Sequence, residues 1–285
     1  ACLVGSEMCI RDRFITRLIS GIVLVLLALL TIGIGGWVLF GTLLLISVIG
    51  ASELYKAMKV QEDRMNGLCI VGYAGIFLYY LGLVIPQLDK GGSILEPNGG
   101  FATMMLILAL VMIMFVYVFT YPKYQANQIM ASFFAVVYVG VMLSYIYQTR
   151  MLEGGKFHVW LIFLCSWGAD TCAYCVGMLI GKHKMAPVLS PKKSVEGAVG
   201  GVAGAALLGF LFQLATDGPS YEYAVICAVG ALISMVGDLA ASAIKRNMEI
   251  KDYGTLIPGH GGILDRFDSV IFTAPIIYYL SVFLI

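Results

Sequence analysis

The sequence predicts an all-α integral membrane protein of about nine transmembrane helices, N-terminus in and C-terminus out. It also predicts a polar active site at the cytoplasmic membrane edge. Three observations carry this. First, 60% of the 285 residues are hydrophobic and 12% charged, with a mean hydropathy of +0.91. Soluble domains are roughly 45–50% apolar and about 25% charged, so this chain has too little polar surface to cover a water-soluble globule. Second, the apolar residues fall into runs near the ~20 residues a helix needs to cross a hydrocarbon core. Third, the basic residues are lopsided. With the N-terminus inside, 15 of the 18 Lys and Arg fall on the inner side; only Lys90, Arg150 and Lys156 fall outside. That asymmetry orients a membrane protein.

The runs follow in order. Residues 1–13, "ACLVGSEMCIRDR", carry no membrane pattern and are read as a non-native leader, leaving 14–285 as one polytopic domain. The first run, 14–32, lacks an A-x-A-like cleavage site and reads as a span, not a signal peptide. Only "GIGG" separates it from 36–55. The runs 68–86, 101–121 and 128–147 complete an N-terminal group, 14–157. A catalytic group, 158–285, opens with 158–180, which holds Asp170 in "SWGADTCAYCVG". The run 195–215 follows the polar connection Gly181–Ser194. Its Gly197, Gly200, Gly201 and Gly204 stand at G-x-x-x-G spacings, a pattern of close helix packing. The run 222–242 carries Asp238 near its end. The last, 264–284, is entered through the longest polar connection, Ser242–Gly262. Helices are expected throughout, because isolated strands would leave backbone groups unpaired in lipid. No soluble domain or internal repeat is visible, and nothing points to nucleic acid.

The seven cysteines, an odd number, lie mostly inside apolar runs and read as small hydrophobes. Cys172 and Cys175 form a C-x-x-C, but no second pair or histidine stands at zinc spacing. His158 and His183 are read as loop residues.

Charge collects in "PGHGGILDRFDS", Pro258–Ser269. With a helix starting near Ile263, Asp265 and Asp268 share one face at its first turns, at the positive end of the dipole. Gly259, Gly261 and Gly262 would let backbone N–H groups approach a ligand. Two solvated aspartates capping a helix would give the same pattern. Asp238 and Asp170 shift the balance, because an ionised group in the bilayer costs about 2.5–3.5 kcal/mol and usually serves a function. Carboxylates at one depth repel one another unless a cation joins them. With only oxygen ligands on offer, the cation expected is hard, Mg²⁺ first. Lys192 and Lys193 precede a helix start at Ser194, an anion-binding arrangement or ordinary inner-side lysines; a Walker A loop is absent.

The segment "SAIKRNMEIKDYGTLIPGHGGILDRFD", Ser242–Asp268, resembles the signature of the phosphatidate cytidylyltransferases. That signature runs S-x-apolar-K-R, four residues, K-D, then a small residue, P-x-H-G-G and D-R-x-D, and every fixed position is filled here. "SWGADTCAYCVGMLIGK" and "SPKKSVEG" are similar to further segments of that family. The resemblance implies CTP + phosphatidate → CDP-diacylglycerol + pyrophosphate. It also implies a Mg²⁺-dependent homodimer, leaves open a second cation such as K⁺, and places the enzyme in a bacterial cytoplasmic (inner) membrane with its site facing the cytoplasm. By matched positions, Asp238, Asp265 and Asp268 form the acidic metal site. Lys245, Arg246, Lys251 and Arg266 face phosphates, with Lys245 and Arg266 counted as catalytic. Lys192, Lys193, Ser194, Asp252, Gly261, Gly262 and Asp170 are expected at the substrates. His260 joins them as a binding residue and not a base, since the lipid phosphate is already ionised. The rival readings are a CTP-dependent transferase acting on another lipid acceptor, and a secondary transporter.

On this reading Asp265→Asn or Asp268→Asn removes nearly all CTP-dependent activity from folded protein, and Asp170→Asn hurts less. Purified variants assayed with phosphatidate and labelled CTP check both statements.

Overall fold

The computed structural model describes residues 21–61, 66–88, 100–216, 218, 221–257 and 261–285. Among them the helices are α1 (Gly21–Ile34), α2 (Gly36–Ala57), α3 (Gly67–Leu88), α4 (Gly100–Phe119), α5 (Ala126–Met151) and α6 (Gly155–Ile180). A small hairpin follows, β1 (Lys184–Ala186) and β2 (Ser190–Ser194), then α7 (Val195–Thr216), α8 (Glu222–Asn247) and α9 (Leu264–Leu284). The eight helices α2 to α9 are long and apolar enough to cross a membrane. The chain is an all-α integral membrane protein, and these eight correspond to eight of the nine predicted runs. The predicted run 14–32 begins outside the described residues, as does the leader 1–13; its described part lies in α1.

The differences from expectation are local. Hydropathy ended the eighth run at residue 242, but α8 continues to Asn247. Ala243 and Ile244 sustain the helix, and Lys245 and Arg246 fall in its last turn, where cations complement the dipole. Helix α6 starts at Gly155, three residues before the predicted run. His158 is therefore helical and buried, with its ring edge-on to Tyr223 at 5.8 Å, not in a loop. The connection Gly181–Ser194 holds the antiparallel hairpin, in which Lys184 pairs with Ser194 and Ala186 with Ser190. Its segments are too short and polar to stand out by alternation.

Two helices are not regularly wound. α5 contains a π-helical segment at Val136–Val141, and α6 another at Leu164–Gly168. Such wide turns often sit beside functional sites. The second ends two residues before Asp170.

Small residues let the helices approach. α7 packs along α6, and a Cβ built on Gly201 would lie 2.9 Å from the Ala173 Cβ and 3.0 Å from the Ala169 carbonyl. α3 and α4 meet in the same way at Gly75, where Ala109 would stand 2.9 Å from an added Cβ. α8 lies against α7 and α9. Large apolar side chains such as Phe115, Val118 and Phe119 on α4, and Leu207, Leu211 and Leu214 on α7, stay exposed. In a bilayer these face lipid tails as apolar as themselves. The five described cysteines are free, and Cys165 and Cys227 are buried, in keeping with their reading as small hydrophobes.

Because the neighbours of Gly201 include main-chain atoms, Gly201→Leu has no room to repack. It should lower stability by about 1–3 kcal/mol, read as a lower thermal midpoint in detergent.

Candidate functional site

The site is built on the start of α9. A helix begins with N–H groups that have no partner inside the helix, and here that start is buried. Its N-cap residue, Ile263, supplies no side-chain cap. The cap comes from α2. One carboxylate oxygen of Glu53 accepts the Ile263 N–H at 3.0 Å, and the other accepts the Leu264 N–H at 2.8 Å. Glu53 is 6% exposed. The positive end of the α9 dipole favours an anion there. Gly254 and Gly262 press against the carboxylate; a Cβ at Gly254 would come within 2.6 Å of it, and one at Gly262 would overlap it.

Asp265 organises the other side of the same turn. One of its oxygens takes a charge-assisted bond from the Lys245 ammonium at 2.9 Å. The other accepts the N–H groups of Tyr253, at 2.8 Å, and of Gly262, at 3.0 Å. The Lys245 ammonium also sits 5.4 Å from the centre of the Tyr253 ring. Gly261 adopts a left-handed φ of 88° beside Asp265, a conformation open to glycine at little cost. The Tyr253 hydroxyl donates to the Ala241 carbonyl at 3.1 Å. Burial, and then the charges of Asp265 and Asp268, push this phenol's pKa up, so it stays a donor.

Asp268 lies one turn further on and is 9% exposed. One oxygen accepts the Ser269 N–H at 2.8 Å. Asp268 opens onto a cavity of about 310 Å³ whose polar wall also includes Asp170, Asp265 and Arg266. The rest of its lining is mostly apolar, with Leu24 and Val25 of α1, Trp167 of α6 and Phe267 of α9. Val25 and Trp167 also border a second cleft of about 380 Å³, lined mostly by apolar side chains such as Leu29, Phe163, Leu164 and Phe212. A charged chamber therefore adjoins an apolar one.

Asp238 stands nearby in α8, and its ion-pair partner is Lys193 of β2. The Lys193 ammonium is itself buried. Asp170, Asp238 and Asp268 lie close enough to repel one another; Lys193 offsets the field at Asp170, and Lys245 that at Asp268. The two adjacent lysines of β2 thus differ, since Lys192 is exposed.

The donors at the cavity are carboxylate and hydroxyl oxygens, which fit a hard cation. Both oxygens of Asp265 are engaged, and Asp238 is paired with a lysine. Among the described residues no three His, Cys, Asp or Glu side chains are gathered into a metal-holding group. The expected trio is therefore divided: Asp265 and Asp268 share the cavity, and Asp238 stands beside it within an ion pair. Asp170, expected only at the substrates, lines the cavity with Asp268. Mg²⁺ commonly takes one or two carboxylates and completes its shell with water and phosphate, so the donor set here suits it without a closed cage.

Of the remaining expected residues, Ser194 accepts the Gly197 N–H at 3.1 Å and caps α7. Arg266 lines the cavity. Arg246, Lys251 and Asp252 are exposed and are not among the residues lining the cavity. Gly261 and Gly262 shape the loop against Asp265. His260 and Gly259 lie outside the described residues. Sequence reasoning missed Glu53 and Glu196, which accepts from the Lys182 and His183 N–H groups and meets the His183 ring at 2.6 Å. An ionisable residue inside the run 36–55 was the available signal for Glu53.

Residues 15–284 match the model of the cytidylyltransferase family. The chain is 31% identical over 240 residues to a phosphatidate cytidylyltransferase of Bacillus subtilis, spanning 83% of this chain and 87% of that protein. It is 31% identical over 270 residues to one of Staphylococcus epidermidis, spanning 93% and 98%. Against one of Synechocystis it is 30% identical over 299 residues, spanning 94% and 97%.

Lys245 and Asp265 are 14% and 3% exposed at their side chains. Lys245→Met would leave a buried carboxylate without its cation, lowering stability by about 3–5 kcal/mol. Adding Asp265→Asn should recover part of the loss, as measured by unfolding in detergent.

Proposed function

The chain belongs to the cytidylyltransferase family, and from that premise we propose that it is a phosphatidate cytidylyltransferase. It takes CTP and phosphatidate and yields CDP-diacylglycerol and pyrophosphate. The observation that carries this reading is the pairing of chambers. A cavity walled by Asp170, Asp265, Arg266 and Asp268 adjoins an apolar cleft across Val25 and Trp167. That shape suits an amphiphile with a phosphate head and hydrocarbon tails.

An oxygen of the lipid phosphate attacks the α-phosphorus of CTP in line. The bond from that phosphorus to the bridging oxygen of the β-phosphate breaks, and pyrophosphate leaves with the bond's electron pair. No base is required, because a phosphate monoester with a second pKa of about 6 arrives mostly as a dianion. The barrier is repulsion between two anions, so catalysis is positioning and charge neutralisation. Arg266, on the cavity wall, is suited to clamp phosphate oxygens in its planar fork. Lys245 pairs with Asp265 and Lys193 with Asp238, so that each of these carboxylates has its counter-charge at rest. Asp268 and Asp170, with Asp265 on the same cavity wall and Asp238 beside it, would hold Mg²⁺, which would draw charge from the triphosphate. The apolar wall keeps the lipid tails in the bilayer and excludes water from the head group.

The asymmetry of Lys and Arg supports a cytoplasmic face, where CTP is found, and bacterial relatives support the inner membrane. The family resemblance supports a homodimer and a second cation such as K⁺.

Purified protein supplied with CTP, Mg²⁺ and phosphatidate should release pyrophosphate and form CDP-diacylglycerol, and EDTA should stop it. Faster transfer to an ether-lipid or polyprenol acceptor would replace phosphatidate as the substrate. Absence of any pyrophosphate release would end the proposal.

A further inference from the structure

Glu53 is a buried carboxylate of the N-terminal spans with no place on the cavity wall, yet it holds the element that carries the site. Its two oxygens divide between adjacent N–H groups, Ile263 and Leu264, 210 and 211 residues away. Those residues directly precede Asp265. On the other side of the same backbone, Asp265 holds the Gly262 N–H. Residues 262–264 are thus gripped by two carboxylates, one from α2 and one from α9 itself. The grip fixes where α9 begins and how it is turned. A helix advances by about 100° per residue, so a slip of one residue in that start would carry Asp265, Arg266 and Asp268 off the cavity. Glu53 also fills the anion seat at the α9 N-terminus, so substrate phosphates need another partner, and Arg266 lines the cavity.

We infer that Glu53 is a positioning residue for nucleotidyl transfer: it sets the rotation of α9 so that Arg266 and Asp268 face the cavity in which the phosphates react. This rests on the reading of the chain as a phosphatidate cytidylyltransferase. Glu53 touches no substrate on this account, so its loss should lower turnover more than binding.

The test uses full-length protein in nanodiscs, as wild type, Glu53→Leu, Glu53→Gln and Gly262→Ala. Gly262→Ala keeps the glutamate but displaces it, because its new Cβ overlaps the carboxylate. Wild-type transfer of CMP to phosphatidate is measured first; its absence would reject the functional reading and not the cap. Glu53→Leu should lose about 10²-fold in kcat, with KM for CTP changed by less than about threefold. Glu53→Gln, which retains one acceptor, should fall between. Amide exchange should rise at residues 261–266 in Glu53→Leu and Gly262→Ala while α3 and α7 keep their protection. Normal kcat in Glu53→Leu, or exchange rising evenly along the whole chain, would overturn the inference.

Discussion

The structure depends on how the first N–H groups of α9 are satisfied away from water. A buried donor without a partner costs about 1–3 kcal/mol, and α9 opens on several. The chain answers with two carboxylates in place of a serine or threonine cap. Glu53 takes Ile263 and Leu264; Asp265 takes Gly262 and reaches back to Tyr253. Each anion is in turn tolerated because donors surround it. The loop, the last helix and the second helix are therefore one hydrogen-bonded unit. Glycine at 254 and 262 is what permits the backbone to come so close.

Charge around the cavity follows from the same economy of partners. Asp170, Asp238 and Asp268 repel, and the ammonium groups of Lys193 and Lys245 stand among them as internal counter-ions. In a low-dielectric setting neither sign would be stable there alone. The balance is held by contacts between elements distant in the chain: Lys193 comes from a hairpin outside the helices, Lys245 from the last turn of α8.

Much of this could be read from the sequence, because the signals were compositional or local. Eight apolar runs match eight helices within a few residues, since lipid demands length and apolarity from each one separately. Asp265 and Asp268 were placed on one helix face by their spacing alone. What escaped reading depends on long-range contact. Nothing near Glu53 announces that it caps a helix 210 residues later. Lys245 and Arg246 were assigned to a connection because charge ends a hydropathic run, although the helix continues to Asn247. The hairpin at 184–194 is too short for a period to show, and the π-helical turns leave no mark in composition. The division of Asp238 from Asp265 is decided by which lysine each one meets, a matter of three dimensions.

Val25 and Trp167 form a threshold common to both chambers, and on the proposed reading this has a kinetic meaning. One reactant enters sideways from a two-dimensional fluid and the other from bulk water. The two are then governed by different measures of abundance, molecules per area and molecules per volume. Such an enzyme responds to the make-up of the sheet around it, and inert neighbours in that sheet act as diluents even when the total amount of reactant is unchanged.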